Sequence, residues 1–238
     1  MLTKLDDMTL IRYGTRYRTR YLLEQGRYTL KLAGAERPPL DLPPDYLLRM
    51  EKAIARLEGA DKDREIAAVE SKYATLQQNA LFNEGKIWRR KVAMRAEQAS
   101  RFGAEVPDEL LTIRRARTVP ALLQSLYRTL GLIEQYATEL SVVGDVASLV
   151  TEGRRIHDAL AQADAEQEYK RLSELPAKVR ELFRLKGELY VALKIVNGAG
   201  KARHAADPEL AARYNLAILN RRGPKRGETE EAPTADPS

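Results

Sequence analysis

The sequence predicts an all-α protein made of long amphipathic helices, with an antiparallel helical bundle towards its C-terminus. Apolar residues recur at alternating spacings of three and four over long segments, which is the period of one helix face. The chain has 238 residues, of which 31% are charged and 44% hydrophobic, and most of its 11 prolines fall outside the periodic segments. A chain of this length can bury a core in one large domain or two small ones.

The N-terminal segment, residues 1–44, joins a Tyr/Arg-rich stretch to a proline-rich linker. As a helix, the stretch places Tyr13, Tyr17 and Tyr21 in one stripe beside a stripe of arginines. As a β-hairpin over residues 8–32, it places tyrosines on one face and arginines on the other. The helix is favoured because the chain that follows is helical and an isolated hairpin is marginal in water. The hairpin stays open as the less favoured alternative.

Residues 45–104 are predicted to form an extended helical or coiled-coil region. Asp45 stands where an N-cap is expected, and Gly59 either ends the helix or lies within it, since one glycine costs only about 1 kcal/mol. Beyond Gly59 the spacing of three and four continues for roughly four heptads, which is typical of a helix that packs on a partner helix. Gly103 should end this helix. The stripe comprises Ile66, Val69, Tyr73, Leu76, Ala80, Asn83, Ile87, Arg90 and Met94.

Residues 105–222 are predicted to form the helical bundle. Thr118 stands where the N-cap of one helix is expected, and a later helix should end or kink at Pro176. Asp207, followed by proline and glutamate, is expected to cap the last helix. Helices joined by short turns tend to pack in antiparallel fashion. Residues 223–238 are polar and contain prolines, so we expect a disordered tail.

The sequence predicts no catalytic, cofactor-binding or metal site. The absence of cysteine excludes thiolate nucleophiles, thiolate metal sites and disulfides. A di-metal bundle needs a glutamate three positions before each histidine, but Arg154 and Lys201 stand there. The GAGK sequence at 198–201 is not a phosphate-binding loop, because Ile195 and Ala202 replace the glycine and the hydroxyl residue that such a loop requires. We therefore expect the chain not to be an enzyme.

The sequence favours a noncatalytic helical scaffold or adaptor that acts through protein–protein contacts or self-association. A helix over residues 64–102 would be about 60 Å long, more than a compact domain needs, so its stripe should meet another helix. The alternative is a nucleic-acid-binding protein, because the net charge is +6 and the arginines occur in clusters. The candidate interaction residues are Tyr13, Arg16, Tyr17, Arg20, Tyr21, Trp88, Arg89 and Arg90.

The sequence indicates a cytoplasmic protein. Asp6 and Asp7 interrupt the region where a signal peptide would be apolar, and no segment approaches the length of about 18 apolar residues that a membrane span needs. The lack of cysteine fits a reducing compartment. We expect a protein partner or a second copy of the chain first, and nucleic acid second.

Overall fold

The computed structural model describes residues 5–113 and 115–221, and these residues form helices without any strand. The all-α prediction is therefore confirmed. Arg114 and the predicted tail at 223–238 lie outside the described residues. The helices are α1 (Asp7–Gly14), α2 (Thr19–Gly34), α3 (Tyr46–Arg101), α4 (Asp108–Leu111), α5 (Val119–Gln135), α6 (Ala137–Ser141), α7 (Val146–Tyr169), α8 (Leu175–Arg203) and α9 (Pro208–Arg213), with a π turn at Lys170–Glu174 and a 3-10 turn at Ala217–Asn220.

The Tyr/Arg stretch folds as two helices, not as the alternative β-hairpin. The carboxylate of Asp6 caps α1 by accepting the backbone N–H of Thr9 at 2.9 Å. Because α1 ends at Gly14 and α2 begins at Thr19, the tyrosines are divided between the two helices and the turn that joins them. A hairpin would lack a third strand to cover it, whereas these helices pack on α8.

Helix α3 passes through Gly59 without reversing. Asp45 directly precedes α3, and its carbonyl oxygen accepts the backbone N–H of Arg49 at 2.9 Å. The helix ends at Arg101, and Gly103 follows with a φ of 86°, a left-handed conformation that favours glycine. The predicted end of the helix is therefore confirmed, and the two outcomes left open at Gly59 are decided in favour of one continuous helix.

Pro176 does not end the helical run in which it lies. Residues 146–203 are helical throughout, and the π turn at Lys170–Glu174 directly precedes the α8 turn that contains the proline. Proline lacks the N–H needed to continue an α-helical ladder, and we attribute the π turn to this local change in the ladder. The prediction for Thr118 is confirmed, since its hydroxyl accepts the backbone N–H of Ala121.

Close packing of the backbone divides the chain into two units. Of the residues that the structure describes, those within 1–63 and 179–238 form unit 1, and those within 64–178 form unit 2. This grouping differs from the predicted division of the chain, because α3 and α8 each run from one unit into the other. Most of α8, together with α9, belongs with the N-terminal helices and not with α5 and α7. Local spacing predicts a helix but carries no information on which distant helix its apolar face will meet.

The core of unit 1 lies between α2, α8 and the first turns of α3. Here α1 crosses α8 with the two backbones in contact, because a Cβ on Gly187 would lie 1.9 Å from the carbonyl oxygen of Leu10. Gly200 likewise lies against the ring of Tyr214, since a Cβ there would lie 2.2 Å from Cδ1 of that ring. The core side chains include Leu22, Met50, Leu57, Leu189, Leu193 and Val196.

The core of unit 2 surrounds Trp88, which projects from α3 between α5 and α7. Its indole N–H donates to the carbonyl oxygen of Leu149 at 3.0 Å, so its polar atom is satisfied. Gly153 leaves room for the ring, since a Cβ there would lie 2.2 Å from Cζ2 of Trp88. The core residues around the indole include Val92, Ala96, Leu122, Leu126, Ile133, Ile156 and Leu160.

Candidate functional site

The tyrosines of the N-terminal stretch pack on the protein's own helices. The rings of Tyr13 and Tyr17 lie 5.5 and 4.9 Å from the ring of Tyr190 on α8, and Tyr21 is buried in the core of unit 1. Burial, with a smaller contribution from Tyr190, raises the pKa of Tyr17 to about 12. Tyr13 and Tyr17 are thus half-buried and already have an aromatic neighbour within unit 1.

The arginines of the same stretch form its exposed side. The guanidinium of Arg16 lies 5.3 Å from the centre of the Tyr13 ring, and that of Arg20 lies 4.7 Å from the centre of the Tyr21 ring. Arg20 also donates to the Tyr21 hydroxyl at 2.9 Å. Cation–π contacts of this kind at exposed positions are worth about 0.5–1 kcal/mol. The predicted interaction residues of the N-terminal stretch therefore lie close together, and their arginines face solvent.

A polar cluster in unit 1 was not predicted from the sequence. One carboxylate oxygen of Glu36 accepts the Tyr214 hydroxyl at 2.6 Å and lies 3.1 Å from Nε2 of His204. Nearby, the buried amides of Gln25 and Asn197 both donate to the backbone oxygen of Asn215. These contacts fix the segment after α9 against α2 and α8. Glu36 is separated in the sequence by 168 residues from His204 and by 178 from Tyr214, so no local pattern could have predicted the cluster.

We expect this cluster to make stability depend on pH. The Tyr214 hydroxyl, and less strongly His204, hold the pKa of Glu36 below its ordinary value of 4.5. A depressed pKa contributes stability that is fully present above 4.5 and is lost as the pH falls through the folded-state pKa. Glu36→Gln should therefore lower the urea midpoint at neutral pH, with the difference from wild type narrowing below 4.5. When Tyr214 is replaced by Phe, the difference in urea midpoint that Glu36→Gln causes should change less with pH. If that difference were constant with pH in the wild-type background, Glu36 would not be a source of the pH dependence.

The predicted stripe on α3 is exposed along its whole length within unit 2. All nine of its predicted positions face solvent, including Asn83 and Arg90, which interrupt its apolar character. The large hydrophobic members are more than half exposed, and Tyr73 is 71% exposed. We define the α3 stripe as these hydrophobic members, which are Ile66, Val69, Tyr73, Leu76, Ile87 and Met94.

The opposite face of α3 holds this helix in unit 2. Trp88 is fully buried and Arg89 nearly so, and these two predicted interaction residues therefore do not lie on the outer surface of α3, whereas Arg90 is exposed. Trp88 and Arg89 are buried because they belong to a second face of α3, whose residues also recur at helical spacing. It consists mainly of small residues and is formed by Ala67, Ala74, Gly85, Trp88, Val92, Ala96 and Ala99.

The described residues contain neither a metal-binding cluster nor a membrane-spanning helix. Residues 5–113 and 115–221 contain no group of three or more histidine, aspartate or glutamate side chains placed to hold a metal ion. None of the described helices combines the length and apolar character needed to cross a bilayer. Comparison with family models, curated proteins and solved structures finds no match to this chain.

Proposed function

We propose that this protein is a noncatalytic helical scaffold or adaptor that binds an amphipathic helix of another chain along the α3 stripe. The observation that carries the proposal is that apolar side chains keep helical spacing on the solvent face of α3. Single exposed apolar residues are ordinary, whereas an ordered row of them is typical of an interaction surface. From Ile66 to Met94 the row extends over about 42 Å at 1.5 Å per residue, enough for several helical turns of a partner.

The other face of α3 prepares the stripe for binding. Trp88 and Val92 anchor the helix in the core of unit 2, so its stripe is ordered before any partner arrives. Binding then does not have to provide the free energy for folding α3. Each large apolar side chain that a partner covers completely contributes about 1.5–3 kcal/mol before the costs of association.

The charges that flank the stripe bear on the orientation of a second copy. A parallel, in-register pair would bring Glu65 near Glu70 of the other copy, and Lys86 near Lys91 of the other copy. A like-charge pair on a helix surface costs about 0.2–0.5 kcal/mol. The ion pairs of Glu70 with Lys170 and of Lys91 with Glu152 reduce this repulsion without reversing its sign. If the partner is a second copy, we therefore favour an antiparallel arrangement over a parallel one.

A photo-crosslinking residue at position 73 should capture the partner in the native cell. Tyr73 and Tyr127 make a matched pair, because both tyrosines are 71% exposed and both lie on helices of unit 2, with Tyr127 outside the α3 stripe. We expect a discrete adduct from position 73 and none from position 127. Tyr73→Glu should weaken the purified complex at least about tenfold by placing a charge in an apolar contact, whereas Tyr127→Glu should leave its affinity unchanged.

Other results of these measurements would contradict the proposal or favour a different function. Equal crosslinking from positions 73 and 127 would contradict a specific interface on α3. If the protein is a monomer at micromolar concentration, self-association is excluded. Binding of a helix from a different protein would then remain as the proposed function. Salt-sensitive binding to duplex or single strands, without adducts from position 73, would support the nucleic-acid alternative. The exposed arginines of α1 and α2 support that alternative, and the burial of Trp88 and Arg89 weakens it.

A further inference from the structure

A pocket of about 530 Å³ opens in unit 2 beside the buried face of α3. It lies between α3, α4, α5 and three residues that follow α4, namely Thr112, Arg115 and Ala116, and it shares no residue with the α3 stripe. Most of the residues that line it have polar or charged side chains. The polar and charged side chains around it are Arg89, Asp108, Glu109, Thr112, Arg115, Gln124, Ser125, Arg128 and Thr129.

Arg89 is a buried cation that forms no ion pair with any of the described residues. It is 6% exposed, and within residues 5–113 and 115–221 two of its guanidinium nitrogens, Nε and Nη1, have no hydrogen-bond partner. The third, Nη2, makes a long bond of 3.4 Å to the carbonyl oxygen of Thr112. Burial lowers the pKa of Arg89, because the charged form loses solvation. A buried charge without a partner costs several kcal/mol, so an anion that enters the pocket would recover part of that free energy.

The acidic side chains of the pocket do not neutralise Arg89. Asp108 and Glu109 are exposed on α4, and among residues 5–113 and 115–221 neither forms an ion pair with Arg89. Arg115 and Arg128 add two exposed guanidinium groups to the lining. The pocket therefore combines one buried cation with two exposed ones, and cations outnumber its carboxylates.

We propose that this pocket binds a small oxyanion, a phosphate group, with Arg89 at its buried side and Arg115 and Arg128 at its exposed side. Guanidinium groups form strong, directional hydrogen bonds to phosphate and carboxylate oxygens. Phosphate is the better match for three arginines, because a phosphate monoester presents three terminal oxygens and a carboxylate only two. The site is separate from the α3 stripe, so the proposal does not depend on the proposed function.

Titration of the full-length protein with inorganic phosphate, at constant ionic strength in chloride, tests the proposal by calorimetry. We expect saturable binding by the wild type. Arg89→Met should weaken the affinity for phosphate at least about tenfold, as expected for loss of a hydrogen bond to a charged group. Arg90→Met is the matched control, because Arg90 is the next residue on α3 but is exposed and outside the pocket. It should bind phosphate as the wild type does.

Arg128→Met tests the proposal independently, in case Arg89→Met does not fold because Arg89 is buried. Arg128 is exposed on α5, so its replacement should preserve the fold while weakening phosphate binding severalfold. Glu109→Gln should strengthen binding, because it removes a negative charge from the lining. Absence of saturable binding by the wild type, or equal affinities of Arg89→Met and Arg90→Met, would overturn the proposal. Tighter binding of acetate than of phosphate would overturn the assignment to phosphate.

Discussion

Trp88→Ala is expected to lower the free energy of unfolding of unit 2 by about 3–5 kcal/mol, the usual cost of deleting a buried aromatic side chain. The indole has no exposed surface and is enclosed by side chains of α3, α5 and α7. Its replacement would leave a cavity that Gly153, without a side chain, cannot help to fill. The variant also loses the hydrogen bond to Leu149.

Hydrogen exchange resolves this effect by segment, which matters because two units need not unfold in a single transition. Amides of α5 and α7 should lose protection in Trp88→Ala, while those of α2 in unit 1 should change much less. Phe102→Ala is the control, because Phe102 is an aromatic residue of unit 2 with 77% of its surface exposed. Its effect should stay within about 0.5 kcal/mol. A similarly small effect of Trp88→Ala would show that the indole is not the centre of this core.

The α3 helix shows how far periodicity can carry a prediction. Its existence, its apolar stripe and its end near Gly103 are all visible in the sequence. The stripe is formed by large residues such as Val69 and Leu76, so it dominates the pattern, yet it is the exposed face. The buried face is formed by alanines, a glycine and Trp88, and small residues contribute little to a pattern that is identified from large apolar side chains. Small side chains allow other helices to approach closely, and this packing depends on partners that local spacing does not reveal.

The predicted interaction residues illustrate the same limit at the level of single side chains. Trp88, Arg89 and Arg90 stand together in one basic segment, and sequence alone treats them as a cluster. Successive residues on a helix point about 100° apart, so the three project in different directions. Arg89 lies four residues from both Gly85 and Ala93, which are buried, and this spacing was the available signal that it faces the interior. The pocket beside Arg89 is formed by tertiary packing, so the sequence could not have predicted it.

Gly187→Ala is expected to lower stability by about 1–3 kcal/mol, although alanine is the better helix former. The new methyl group would lie 1.9 Å from the carbonyl oxygen of Leu10 and 2.5 Å from its carbonyl carbon. These are backbone atoms of α1, so rotation of a side chain cannot relieve the overlap. Helix α1 must instead move away from α8, which exposes Leu10, now only 4% exposed. Exchange protection should therefore be lost first in α1.

The same substitution eleven residues further along α8 should have the opposite sign. A Cβ on Gly198 would meet nothing within 4 Å, so Gly198→Ala should stabilise the protein by about 0.5–1 kcal/mol through helix propensity alone. Because both changes are Gly→Ala within one helix, the difference between their urea midpoints isolates the contact between α1 and α8. If Gly187→Ala instead raised the midpoint as Gly198→Ala does, α1 would not be docked on α8. Tyr13, which lies on α1, would then be free to meet a partner.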